Sequence, residues 1–110
     1  MANTFTRKLA QGVGTTPDQV GSYTVAANTR AVVVGFTVTN TSGSAVAANV
    51  FINDGAANTS ISTNAPISSG SSLILAGGDQ KLVLITGDSL YVQSSASSSL
   101  DVVVSILEIT

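Results

Sequence analysis

The sequence predicts an all-β fold: a single antiparallel β-sandwich, jelly-roll or Ig-like, with about 8–9 strands and no significant helix. Three observations lead there. Apolar residues alternate with Ser, Thr, Asn and Gly at period two over most of the chain. Strand-length runs recur about every 8–12 residues, with Gly, Ser or Asn clusters between them. No segment carries the 3.6-residue periodicity of a helix. A chain of 110 residues suits one domain. Residues 1–110 therefore read as one sandwich, with 1–8 as an extended N-terminal arm.

The elements follow in order. Residues 5–13 and 19–25 read as two strands around the Gly12–Pro17 loop, and residues 26–29 turn the chain. In Arg30–Asn40 the even positions Val32, Val34, Phe36 and Val38 form the expected core face. Thr41-Ser42-Gly43-Ser44 is a turn cluster, after which Val46, Ala48, Val50 and Ile52 alternate with Ala47, Asn49, Phe51 and Asn53. Two such runs joined by a short polar loop predict a β-hairpin. Asp54-Gly55 and residues 56–60 turn the chain again. Residues 61–67 form a weaker strand, which by Pro66 either lies at an edge or ends there. After the loop at 68–72, Leu73 and Leu75 start a strand. Gly77-Gly78-Asp79-Gln80 turns it into 81–86, with Leu82 and Leu84 on one face. Gly87-Asp88 is a tight turn. Ser89–Ser94 points Leu90 and Val92 inward, and the Ser-rich run 94–99 is a loop.

The last strand, Leu100–Ile109, is unusual. Leu100, Val102, Val104 and Ile106 make one apolar face, and Val103, Leu107 and Ile109 make the other largely apolar too. A strand with one wet face does not read this way. Two readings stand. Either this is a central strand whose outer face is covered by a loop or the N-terminal arm, or Val103, Leu107 and Ile109 face another subunit. Val83 and Ile85 pose the same choice.

Charge is scarce. Four basic and six acidic residues make 9 % of the chain, against roughly 25 % in soluble proteins generally. Hydroxyls and amides fill the gap, with 16 Ser, 13 Thr and 7 Asn. Arg7, Lys8, Arg30 and Lys81 are too few to neutralise a nucleic-acid backbone. No basic amphipathic stretch suits a membrane surface, and no apolar run spans a bilayer. Residues 1–10 contain no apolar signal core. The expectation is a protein made in a cytoplasm that stays there or leaves as part of a larger particle. A surface covered by neighbours needs few charges.

The same scarcity removes most enzyme chemistry. There is no His and no Cys, so no serine has an imidazole base and no thiolate binds a metal. Lys81 follows a turn and reads as a solvated loop residue. Asp18, Asp54, Asp79 and Asp88 lie at predicted turns, where Asp caps its own backbone. A glycosidase pair would want aromatic platforms, yet there is no Trp and only Tyr23 and Tyr91. Asn53-Asp54-Gly55 has a fragment of calcium-loop spelling without the later acidic ligands, and a turn explains it. Gly12-Val13-Gly14 and Gly77-Gly78 open no helix and are turn glycines. Asn40-Thr41-Ser42 and Asn58-Thr59-Ser60 match sequons but read as polar loop residues. No catalytic, cofactor-binding or metal-binding residue is assigned.

Several stretches taken together carry a family likeness. They are Phe5-Thr6-Arg7-Lys8, Gly21-Ser22-Tyr23-Thr24-Val25-Ala26-Ala27-Asn28-Thr29 and Val34-Gly35-Phe36-Thr37-Val38-Thr39-Asn40-Thr41. Pro66-Ile67, Ser71-Ser72-Leu73 and Gly87-Asp88-Ser89-Leu90-Tyr91-Val92 follow, and Leu100-Asp101-Val102-Val103-Val104-Ser105-Ile106-Leu107-Glu108-Ile109 closes the chain. Over nearly its whole length the chain resembles the small virion structural proteins of tailed bacteriophages, including phages of marine cyanobacteria. The resemblance implies a non-enzymatic virion component: a capsid decoration or cement protein, or alternatively a neck, tail or spike module that binds a host receptor or glycan. Its partners would be major capsid or neck and tail subunits and further copies of itself, for example in a trimer. The residues expected at such contacts are Phe5, Val83, Ile85, Val103, Leu107 and Ile109.

Overall fold

The valine-rich run Arg30–Asn40 becomes an 11-residue strand at the centre of one sheet. The computed structural model describes residues 3–77 and 81–110. Along them run β1 (Asn3–Val13), β2 (Asp18–Gln19), a 3-10 turn (Val20–Ser22), β3 (Arg30–Asn40), β4 (Val46–Asn53), β5 (Asn58–Ile67), β6 (Ser72–Ala76), β7 (Leu82–Leu84), β8 (Ser89–Ser94) and β9 (Leu100–Ile109).

Two antiparallel sheets pack into a sandwich. Sheet I has the order β1-β9-β3-β6, with β7 also on β3; sheet II has the order β2-β8-β4-β5. The first strand thus pairs with the last, and most connections cross between the sheets. This is the order of a jelly roll rather than of an Ig-like sandwich, which would pair its first two strands. The core joins both sheets: Val33, Phe36, Val38, Leu84, Leu100, Val102, Val104 and Ile106 from sheet I meet Val46, Ala48, Val50, Leu90 and Val92 from sheet II.

Three expectations are corrected. The run Arg30–Asn40 does not keep one face inward. Ala31 and Val33 are buried, then a register shift against β9 between Val33 and Gly35 flips the parity, and Phe36, Val38 and Asn40 are buried instead. A β-bulge does this by inserting one unpaired residue. Nor do β3 and β4 form a hairpin. β3 pairs with β6, β7 and β9, whereas β4 pairs with β5 and β8. Residues 41–45 are a corner between sheets. Finally, the predicted strand at 19–25 shrinks to Asp18–Gln19 on β8, followed by the 3-10 turn. Val25 is nevertheless fixed: its N–H donates to Asp88 O, and its carbonyl accepts from Gly87 N–H.

Asn40 shows how the corner holds. Its side chain is fully buried. Nδ2 donates to the Ser44 and Ile67 carbonyls at 2.8 and 2.9 Å, and Oδ1 accepts from Ser42 N–H at 2.9 Å and the Ser42 hydroxyl at 2.7 Å. One amide thereby ties the β3–β4 corner to the end of β5. The Ser-rich loop after β8 is held similarly, with the buried Ser94 and Ser99 hydroxyls bonded to each other.

The sheet edges differ. β5 is an edge strand, as Pro66 allowed, and its ladder to β4 is broken by register shifts. β6 and β7 lie end to end along β3 and are short. The predicted turn Gly78-Asp79-Gln80 lies outside the described residues, as do Met1 and Ala2 of the expected arm. The rest of that arm, from Asn3 to Lys8, pairs with β9 as the edge strand of sheet I.

Candidate assembly surface

Sheet I has an outer face because β9 alternates. Its even residues enter the core, so Val103, Leu107 and Ile109 point away from it. Register then decides what stands beside them. Leu107 is opposite Phe5 on β1 and Val32 on β3, and Val32 is opposite Val83 on β7. Phe5, Leu107, Val32 and Val83 therefore form one row across the sheet. Leu9, Val103, Thr37 and Ile74 form a second. Arg7, Ser105 and Gly35 lie between the rows.

Most of the apolar members are open to solvent, while Val32 and Leu107 are half-buried. Phe5 is 77 % exposed, Ile74 72 %, Val83 62 % and Ile85 57 %, with Leu9 and Val103 near half. Every large hydrophobic side chain in the exposed class, among the described residues, belongs to this sheet or to Ile85 just after β7. At typical strand spacing and rise, the face measures roughly 20 Å by 20 Å, about 400 Å² in all, with the polar Arg7, Ser105 and Thr37 interleaved among its apolar residues. At one end Ile85 and Ile109 floor an open cleft of about 590 Å³ that also takes in Arg30.

Sheet II offers a different outer surface. Asn49, Phe51 and Asn53 of β4 and Tyr91 and Gln93 of β8 face outward. The Phe51 and Tyr91 rings stack on each other at 5.4 Å, so their faces are partly satisfied within the sheet.

All six residues expected at contacts thus lie on the outer side of sheet I. Phe5, Leu107 and Val83 share a row, Val103 stands in the next, and Ile85 and Ile109 meet in the cleft. Among the described residues no loop covers β9 there; its flanks are β1 and β3. Sequence reasoning missed Ile74 and Leu9. Ile74 sits in the run Leu73-Ile74-Leu75, where alternation marks no face. Leu9 shares the odd parity of Phe5, and that was the available signal.

The polar groups serve structure. Tyr23 Oη donates to Glu108 Oε2 at 2.7 Å, and Lys8 Nζ lies 5.1 Å from the Tyr23 ring centroid. Burial, then the bond to Glu108, push the phenol's pKa well up, so it stays protonated and is no general base. Asp54 accepts the N–H groups of Ala57 and Ala56 at 2.8 and 2.9 Å. Those bonds hold its carboxyl below the ordinary range, and its Oδ1 is spent on the turn.

No protein-family model matches the sequence, and no curated protein matches it. Among solved structures, the chain is similar to a protein of the Bacillus endospore appendages, described as a novel family of disulfide-linked pili. The likeness covers 100 % of this chain and 91 % of that one, with a TM-score of 0.55 and 14 % identity. At that identity the likeness establishes a common fold.

Proposed function

We propose that the chain is a non-enzymatic structural subunit of a bacteriophage virion, a decoration or cement protein that buries the outer face of sheet I against neighbouring subunits. The observation that carries the reading is the pair of mostly solvent-open aliphatic rows on that face. Three further points support it. The surface has few charges to desolvate. Jelly rolls recur in viral capsid domains. The structurally similar appendage protein builds pili, which is assembly work. This chain has no Cys, so its contacts would be non-covalent, unlike a disulfide-linked pilus. A stable contact needs about 800 Å² per partner; the face supplies roughly half and its polar rim the rest.

The test is native mass spectrometry of the purified protein beside the double variant Val83→Lys/Val103→Lys. The wild type should form a closed oligomer such as a trimer. Val83 and Val103 are already about half covered in the free subunit, so each adds about half of the ~1.5–3 kcal/mol of full burial, and losing both should weaken association by about 10-fold or more. A wild type that stays monomeric at high concentration would overturn the proposal. Binding of that monomer to a glycan array or to host cells would favour the spike reading instead.

A further inference from the structure

The strand that closes sheet I hardly belongs to the core. From Asn3 to Gln11, no residue of β1 is buried. Its first buried side chain is Val13, at 1 % exposure. Between them the ladder to β9 slips: pairing runs from Asn3↔Ile109 to Ala10↔Val102 and resumes only at Val13↔Leu100. Gly12 lies in this slip with φ +64, and a Cβ there would meet nothing within 4 Å. Residues 14–17, Gly-Thr-Thr-Pro, follow without strand structure. Gly12 is therefore the point outside the anchored Val13 where the chain can change direction, once its N–H bond to Asp101 Oδ1 is released.

What fastens β1 is its backbone ladder, Ala10 packed partly against the core, the Gly12 N–H donated to Asp101 Oδ1 at 3.0 Å, and Lys8. Lys8 lays its stem on Gly21, where an added Cβ would come within 2.7 Å of the Lys8 Cβ, and sets its ammonium over Tyr23. If residues 3–11 left, the core cluster would keep every buried member, Val13 included. The exposed strand would then be β9, with an open edge flanked by Val103 and Leu107.

We infer that β1 exchanges between copies: residues 3–11 of one chain pair with β9 of a second copy, about the hinge at Gly12. The occupant is specified by the site itself. A strand that fits β9 needs apolar residues at the positions facing Val103 and Leu107, and a long cation on the other side to reach Tyr23. Leu9, Phe5 and Lys8 supply these in the register seen within one chain. Exchange therefore recreates every contact, and hinge-linked identical elements trade between protomers at low cost. The strand's Phe5 and Leu9 also belong to the surface proposed above for subunit contacts, so packing there would favour the exchanged form. The inference rests on that assembly reading.

The absence of Cys makes the test clean. Arg7 and Ser105 are direct cross-strand partners, with Cβ atoms about 4.5–5.5 Å apart in such pairs. Arg7→Cys/Ser105→Cys should be assembled, confirmed as oligomeric by native mass spectrometry, then oxidised and run on a non-reducing gel. Exchange predicts covalent dimers and higher forms that collapse to monomer on reduction. Assembled protein whose disulfides all lie within single chains would overturn exchange and leave the assembly reading standing. Wild-type protein that never assembles would overturn both. Should the Arg7 change itself block assembly, the pair Asn3→Cys/Ile109→Cys, at the far end of the same ladder, is read the same way.

Discussion

Replacing Asn40 with leucine removes the amide that joins three chain segments and puts an apolar group of similar size in its place. The bonds are not equal. Nδ2 to the Ile67 carbonyl is buried, whereas the bonds with Ser42 and Ser44 are partly open to water. An orphaned buried carbonyl costs about 1–3 kcal/mol, and each partly exposed bond about 0.5–1 after water replaces it. The sum is roughly 4 kcal/mol. For a domain of this size that lowers Tm by about 16 °C. The assay is thermal unfolding by circular dichroism, checked by the urea midpoint. Asn53→Ala is the control: Asn53 bonds to Asn58 and Gly55 in an exposed turn, so its loss should cost under about 1 kcal/mol. Asn40→Asp sharpens the test. Its carboxyl would face the Ser44 and Ile67 carbonyls and ionise reluctantly, so the variant's deficit should grow as pH rises above ~3.9. If Asn40→Leu melted within about 3 °C of Asn53→Ala, on the same size scaling, the corner would not depend on this amide and the reasoning would be refuted.

Two further substitutions probe the packing of the N-terminal strand and the β4–β5 turn. Gly21→Ala sets a methyl 2.7 Å from the Lys8 Cβ at a φ of +60, and should cost about 2 kcal/mol from the left-handed backbone and the clash together. Gly43→Ala, whose methyl meets nothing within 4 Å, should stay within about 0.5 kcal/mol of wild type; equal Tm values for the two would contradict the close approach of Lys8. Asp54→Ala should be less stable than wild type at pH 7. Because the Asp54 pKa is lowered in the folded state, its contribution is present above the unfolded value of ~3.9 and disappears as pH falls through the folded one. The Tm gap should therefore narrow as pH falls below ~3.9, and a gap that does not narrow in acid would exclude a charge-dependent turn.

Much of the architecture was legible because alternation records which side of a strand faces the core. Leu90 and Val92 in β8, and Leu100 to Ile106 in β9, were read correctly for that reason. Alternation does not record which strand lies alongside. The partners of β3 and β4 are β9 and β8, far along the chain, so a polar tetrad between two alternating runs reads alike as a hairpin or a corner. The telling residue was Asn40, an amide on the buried parity. The bulge in β3 was hidden differently: Val32-Val33-Val34 are all apolar, so no polar residue marks the change of face. The apolar outer face of sheet I was legible in β9, whose two faces are both apolar, and only the register revealed that Phe5, Val32 and Val83 continue its row.

The central claim is that the outer face of sheet I is the one covered when the protein is assembled. Electron cryo-microscopy of the intact particle carrying the protein tests this most directly. Phe5, Ile74, Val83 and Val103 should be packed against neighbouring subunits, with Phe51 and Tyr91 of sheet II facing solvent. A particle in which sheet II makes the contacts and those aliphatic rows remain in water would contradict it.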